Sequence, residues 1–467
     1  MKRSLFLIFA GIAALNAHGA TTIMNNKLYV DDQAWFVNGM VYQPEPRGWY
    51  TTNSQYDIKA GEGGAWLCSG AHIDNQNSWT SPCYDDDLTG LLPEGGDGKN
   101  LQYNNALKQR WKLDLDDMQN MGVNTIRLYN INTYNKSHTA FLDQLDARKM
   151  KVIYPVLTTY ASQQPPDTAK GIITSIVQET CPAGQLHNAV LAYSIGNEFD
   201  QEILGNPNGN VAQNVQLAAR VVRQLCPAAR ITYSAVDNPS QWTLDANGKS
   251  PILEAIGPSN IDIISVNSGY RGDASNPSSA GSYSLMFNQI TALTQKYNKP
   301  FLISEMGAHD NETDSFNPHW WNYVWGIVVS RSQQANNVGT VYFEYNDEPL
   351  KKTLAFTQQN NDAYMGVTTG QWPAQGADPH DYGQTGNLAN VQKTVAYQGI
   401  PDYQTQDNAI IVYPRSNHGA GRYEMFVSDN KGINACNYKF SPNPFQIEST
   451  CSAAVNSLNL LKTTKRP

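Results

Sequence analysis

Past its first twenty residues the sequence has no apolar run approaching the roughly 18 residues of a membrane-crossing helix, so no transmembrane segment is expected. Charge is scarce as well. Only 16% of residues are charged, 41 acids oppose 33 bases for a net charge of −8, and the one basic block is the closing Lys465-Arg466-Pro467. A nucleic-acid partner therefore has no electrostatic footprint. There is no CxxC, and the eight histidines are scattered, which removes zinc-site spacing. A GxGxxG after a strand is also missing: Gly61-Glu62-Gly63-Gly64 stands in the middle of a loop, so no dinucleotide and no other cofactor is expected. Neither internal repeats nor low-complexity tracts are present.

What remains is a chain of 467 residues and 51.7 kDa, 40% of it apolar by the broad count, enough for one large core with an appendage or for two ordinary domains. Aromatics are Tyr-heavy, with 25 Tyr, 13 Phe and 10 Trp. Such a mix suits surfaces that stack on flat or sugar-like ligands while hydrogen-bonding, or simply a large aromatic core. Lys2-Arg3 followed by the short apolar run Leu5 to Leu15 and small residues at Ala17 and Gly19 reads as a signal peptide over 1–20. The mature chain is then expected outside the cytoplasm, secreted, extracellular or periplasmic. Six cysteines in an oxidising compartment imply three disulfides. Fifteen connectivities are possible; closing the short loops Cys68/Cys83 and Cys436/Cys451 leaves Cys181 with Cys226, each just before a proline at the end of a helical stretch. Buried thiols are the alternative. Asp85-Asp86-Asp87 reads as a solvated loop, with calcium chelation as the rival.

Eight short β-branched and aromatic runs recur, at 35–43, 123–129, 151–157, 190–198, 231–236, 261–268, 300–307 and 338–346. Helix-period segments follow most of them, at 105–121, 140–150, 212–225, 284–297 and 320–330. Strand then helix, repeated eight times, predicts an α/β fold of the (β/α)8 TIM-barrel type over 21–400. The first gap, from 44 to 100, is long and rich in Gly, Asn, Asp and Trp; as a first βα loop it would wall one side of the face where barrel enzymes keep their active sites. Residues 387–398 are a candidate eighth helix. Residues 409–414 and 422–428 alternate like a hairpin, so 401–467 reads as a small β-rich C-terminal extension.

Two carboxylates close barrel strands: Glu198 ends the fourth in Ser-Ile-Gly-Asn-Glu, and Glu305 ends the seventh in Ile-Ser-Glu-Met-Gly. Their separation of 107 residues matches three βα units of about 35 each, so both should face one mouth. A carboxyl pair at that position fits glycoside hydrolysis by double displacement, one acid protonating the leaving oxygen and one carboxylate attacking the anomeric carbon. Asn197 is placed to bond a sugar 2-hydroxyl. Arg127, closing the second strand, would hold a neighbouring nucleophilic carboxylate ionised. Tyr129, Tyr270 and Tyr345 sit at or just beyond the ends of strands two, six and eight, where they would orient the nucleophile, line sugar subsites, or pack.

The stretches Phe36-Val-Asn-Gly-Met-Val-Tyr-Gln-Pro44, Gly122-Val-Asn-Thr-Ile-Arg-Leu-Tyr129, Ser194-Ile-Gly-Asn-Glu198, Tyr233-Ser-Ala-Val-Asp-Asn238, Ile303-Ser-Glu-Met-Gly307 and Val341-Tyr-Phe-Glu-Tyr-Asn-Asp-Glu348 occur in this order. In them the chain, from about 35 to 370, resembles the fungal cell-wall β-1,3-glucanosyltransferases of glycoside hydrolase family 72, in the retaining clan A. The resemblance implies Glu198 as acid/base with Asn197 before it, Glu305 as nucleophile, and Tyr129 and Gln43 as substrate-binding residues. It also implies a β-1,3-glucan oligosaccharide or polysaccharide as partner. Where the family has Asn-Met-Tyr after strand six, this chain has Val266-Asn-Ser-Gly-Tyr270, and the family's cysteine-rich C-terminal module has no counterpart. A hydrolase on the same substrate and a non-catalytic carbohydrate-binding protein are the competing functions.

Overall fold

The computed structural model describes residues 21–43, 86–88, 90–94, 99–120, 123–134, 136–236, 238–267, 280–307 and 336–345, together with strands between 409 and 449. It opens on a meander of β1 (Thr21–Met24), β2 (Lys27–Val30) and β3 (Gln33–Trp35). Two-residue turns join these strands. Asn25 and Asn26 (φ 51° and 58°) and Asp31 and Asp32 (φ 49° and 60°) all adopt the left-handed conformation that a tight hairpin needs and that Asn and Asp tolerate best.

The chain then alternates β4 (Val37–Val41), α1 (Lys99–Asn120), β5 (Thr125–Arg127), α2 (Thr139–Ala147), β6 (Lys151–Pro155), α3 (Pro166–Thr180), β7 (Val190–Asn197), α4 (Asp200–Gly205), α5 (Asn210–Leu225), β8 (Ile231–Ala235), α6 (Pro251–Ile256), β9 (Ile263–Asn267), α7 (Ala280–Tyr297), β10 (Phe301–Gly307) and β11 (Asn337–Phe343). Strands β4 to β11 pair in parallel, in chain order, and β11 returns to β4, closing the eight-stranded barrel expected from the sequence. Nearly every strand residue is buried, because a parallel sheet has helices on one side and the barrel interior on the other.

Among the described residues two apolar clusters divide the packing. The outer one lies between strands and helices: α5, for example, buries Val211, Ala212, Val215, Ala218, Ala219 and Val222, the 3–4 spacing of a single helix face. The inner one gathers Val37, Val41, Ile153, Leu191, Ile263, Leu302 and Val341 inside the barrel, joined by Leu28 and Val30 of the meander. The meander docks where strands begin: Trp35 Nε1 donates to Thr125 Oγ1, and Arg230, just before β8, donates to the carbonyl of Thr21. It thus covers the strand-start end and leaves the opposite end for chemistry.

Cys181 and Cys226 form a disulfide as expected, with Cα atoms 6.0 Å apart. Each caps a helix by donating its N–H to a carbonyl four residues back, Val177 and Val222, so the bridge staples the C-terminal ends of α3 and α5. Closing a loop of this length contributes about 2–4 kcal/mol. Cys68, Cys83, Cys451 and the expected helices at 320–330 and 387–398 lie outside the described residues, while Cys436 ends a strand. In the C-terminal region β12 (Ala409–Pro414), β13 (Tyr423–Asp429) and β14 (Gly432–Cys436) form an antiparallel sheet, and β15 (Tyr438–Phe440) pairs with β16 (Ile447–Ser449). The hairpin falls where alternation placed it, with Ala409 opposite Ser428.

Of the aspartate run, Asp85 lies outside the described residues, while Asp86 and Asp87 are hydrogen-bonded into the structure rather than held in a solvated loop. Asp86 is buried and accepts hydrogen bonds from Lys136 Nζ (3.0 Å) and the Leu88 N–H (3.1 Å), and pairs with His138 Nε2 (3.2 Å). His138 Nδ1 faces Glu179 Oε2 at 3.1 Å. Burial opposes charge on both Asp86 and His138. The Lys136 and His138 charges nonetheless hold the Asp86 carboxyl below its ordinary range, and Asp86 with Glu179 raises His138 from 6.5 to about 9. The network ties the returning end of the first βα loop to the loop after β5 and to α3. Because the His138 pKa is higher folded than unfolded, its contribution is complete below pH 6.5 and is lost as pH rises through 9. Urea unfolding should show a stability loss on the order of 3 kcal/mol between pH 6.5 and 9.5, largely absent in His138→Gln. An equal loss in both proteins would place the titrating group elsewhere.

Candidate active site

Each chemically active residue closes an apolar strand, so the backbone carries it out of the core at the same level. Arg127 is the last residue of β5, Asn197 of β7 and Asn267 of β9, while Glu305 pairs across the ladder with Asn267 near the end of β10. Glu198 follows β7 at once.

Arg127 is the hub. It is 1% exposed, and its Nη1 donates to Glu305 Oε1 and to the Ser304 carbonyl, both at 2.7 Å, while Nη2 donates to Asn197 Oδ1 at 2.6 Å. Asn267 carries the chain of bonds across to the second acid. Its Nδ2 donates to Glu198 Oε1 (2.8 Å) and Asn197 Oδ1 (3.1 Å), and its Oδ1 accepts from Ser304 Oγ (2.8 Å). Burial alone would lower the Arg127 pKa, yet Tyr129 and the carboxylates Glu305 and Glu198 raise it above its ordinary value, so the guanidinium stays charged. A buried cation of this kind is tolerable only because it is paired and hydrogen-bonded.

The two acids differ in setting. Glu305 is 3% exposed and ion-paired, whereas Glu198 is half-buried and receives a neutral amide donor. Glu198 also adopts φ 55°, a left-handed conformation rare for a residue with a Cβ. Preceding it, Gly196 has φ 155°, and a Cβ there would meet the Tyr233 ring at 2.9 Å, so glycine is required for the close approach of this turn to β8.

Of the residues singled out in the sequence, Glu198, Glu305, Arg127, Asn197 and Tyr129 are thus brought together. The Arg127 guanidinium carbon lies 4.5 Å from the Tyr129 ring centre, and Tyr129 stands edge-on to Phe343. Gln43 reaches the same end through Asp87: its Nε2 donates to Asp87 Oδ1 at 3.1 Å, and the other Asp87 oxygen accepts from the Tyr129 and Asn130 N–H groups at 2.6 and 3.1 Å. Burial pushes the Asp87 carboxyl up to about 6 against those hydrogen bonds. Tyr345 is buried in the outer core, edge-on to Tyr42, and its N–H donates to the Val41 carbonyl. Tyr270 lies outside the described residues.

Asn267, Ser304 and Asp87 were not anticipated. A polar residue closing the otherwise apolar strand Ile-Ile-Ser-Val-Asn was the available signal for Asn267; Asp87 had none, since its partners are 42 to 44 positions away. Among the described residues no cluster of His, Cys, Asp and Glu could hold a metal, and no helix is long and apolar enough to cross a membrane.

Neither a family model nor a curated protein sequence matches the chain. Solved structures similar to it include Saccharomyces cerevisiae Gas2p in complex with laminaripentaose, at 16% identity over 81% of this chain and 71% of that chain with a TM-score of 0.44. Gas2p in complex with laminaritriose and laminaritetraose shares 14% identity over 81% and 71%, with a TM-score of 0.44. Gas2 in complex with a compound numbered 10 shares 16% over 81% and 72%, with a TM-score of 0.47.

Proposed function

We propose that the protein is a retaining glycosidase-type enzyme acting on β-1,3-glucan, and that its principal reaction is glucanosyl transfer. The observation that carries this is the Arg127 hub, which places an ion-paired carboxylate, Glu305, one asparagine away from a second, more exposed acid, Glu198. In the first step Glu198 gives its proton to the glycosidic oxygen as that bond breaks, and a Glu305 oxygen bonds to the anomeric carbon. In the second, Glu198 takes the proton of an incoming hydroxyl, whose oxygen displaces Glu305. Arg127 stays protonated throughout and orients the attacking carboxylate. Asn197, held by both Arg127 and Asn267, is aimed to bond the sugar 2-hydroxyl, a contact that strengthens as positive charge develops on the ring. Gln43 and Tyr129, linked through Asp87, form a second wall for sugar.

The β-1,3-glucan specificity rests on the sequence resemblance from Val41-Tyr-Gln-Pro44 onwards. Export, expected from residues 1–20, agrees with the Cys181–Cys226 disulfide. Whether sugar or water accepts the glycosyl group separates transferase from hydrolase. Incubating the mature protein with reduced laminari-oligosaccharides and sizing the products decides it: chains longer than the substrate are expected. Shorter chains alone would make it a hydrolase, and an unchanged substrate would leave a binding protein.

A further inference from the structure

Glu198 occupies a backbone conformation that costs of the order of 1–3 kcal/mol for a residue with a side chain, and such a residue stays there only when its surroundings over-determine it. On one side the restraint is plain: the Glu198 N–H donates to the Ser234 carbonyl of β8 at 2.9 Å. On the other side is Asp200. It is fully buried, and its Oδ2 accepts from Tyr233 Oη at 2.8 Å and from the Val236 N–H at 3.2 Å, while its Oδ1 has no hydrogen-bond partner among the described residues. The five-residue turn from Gly196 to Asp200 is therefore held to β8 at three points, by Gly196 resting on the Tyr233 ring, by Glu198 through its backbone and by Asp200 through its carboxylate.

Burying a carboxylate with one oxygen unsatisfied is expensive, and burial lifts its pKa to about 6 against the Tyr233 and Val236 hydrogen bonds. Glu202, on the same helix, adds to the opposition rather than relieving it. Among the described residues no ion pair offsets the burial, unlike at Asp86 or Glu305. A group kept at such cost two residues from a strained acid is accounted for by what it holds in place.

We propose that Asp200, through Tyr233, is the positioning residue for Glu198: it pins the turn after β7 so that the Glu198 carboxyl is delivered to the glycosidic oxygen. This rests on the reading of Glu198 as acid/base. Asp200 touches no reacting atom, so its loss weakens proton delivery and leaves sugar binding and the Glu305 attack intact. An isosteric amide weakens the pin, because it removes the carboxylate charge that strengthens the hydrogen bonds from Tyr233 Oη and the Val236 N–H.

The test uses Asp200→Asn and the milder Tyr233→Phe, each checked for folding by circular dichroism, with kcat/KM measured on two donors of equal glucan length. One donor ends in a sugar leaving group, the other in dinitrophenol, which departs without a proton. In kcat/KM both variants should lose on the order of 10- to 100-fold on the sugar-leaving donor and less than about 3-fold on the aryl donor, with KM for the sugar-leaving donor unchanged. Combining the two changes should cost little more than the worse single one, since the groups act as a unit. Equal losses on both donors, or none on either, would overturn the proposal. Activity that survives Glu198→Ala on the sugar-leaving donor, or a wild-type chain inert on both donors, would sink the acid/base reading and the proposal with it.

Discussion

Glu305→Gln should reduce turnover of laminari-oligosaccharides by at least about 10⁴-fold while leaving their binding within roughly tenfold of the parent. The carboxamide preserves shape and can still accept from Arg127 Nη1, now 2.7 Å from Glu305 Oε1, so the hub keeps its geometry. What it cannot do is form the ester to the anomeric carbon. Calorimetric titration and turnover measured on the same preparation separate the two effects. Retained turnover would exclude Glu305 as nucleophile, and lost binding with unfolding would reduce it to a partner for the buried Arg127.

Glu198→Ala should behave differently because Glu198 handles protons rather than carbon. On donors with sugar leaving groups the loss should be about 10²–10⁴-fold, the range for removing a general acid. With an aryl leaving group the first step should survive. The second step, deprived of its base, should then be rescued by azide, a nucleophile that needs no deprotonation and fits the space the side chain vacates, giving a β-glycosyl azide. An α-azide, or azide rescue of Glu305 variants instead, would exchange the roles. The environments support the assignment: the buried acid is paired with a guanidinium, and the half-buried one accepts from the neutral Asn267 amide.

The barrel was legible because a strand covered on both faces has to be apolar along its length, and eight such runs stand out from the helix-period segments between them. For the same reason Arg127, Glu198 and Glu305 stood out, each a charge placed where an apolar run stops. The meander over 21–35 was overlooked although its signal was present: Asn25-Asn26 and Asp31-Asp32 are turn pairs six positions apart in an alternating stretch. Asp86 and Asp87 show a deeper limit. Three consecutive acids look alike in one dimension, but one is buried with Lys136 and His138 some 50 positions downstream, and the next bridges Gln43 to the Tyr129 backbone. Such partnerships are made by barrel closure, which local pattern does not encode. Tyr345 illustrates the reverse case: its place just past a strand end suited either a sugar contact or packing, and its buried ring stands edge-on to Tyr42.

The central claim is that a Glu305 oxygen bonds covalently to the sugar. A 2-deoxy-2-fluoro laminari-oligosaccharide carrying a dinitrophenyl leaving group tests it, because fluorine slows both steps while the good leaving group lets the first proceed. Intact mass spectrometry should show the protein gaining one glycosyl unit of the donor, and peptide mapping should put that mass on the peptide containing Ile303-Ser-Glu-Met-Gly307. Turnover of the parent donor with inverted products and no adduct, or an adduct on Glu198, would contradict the account.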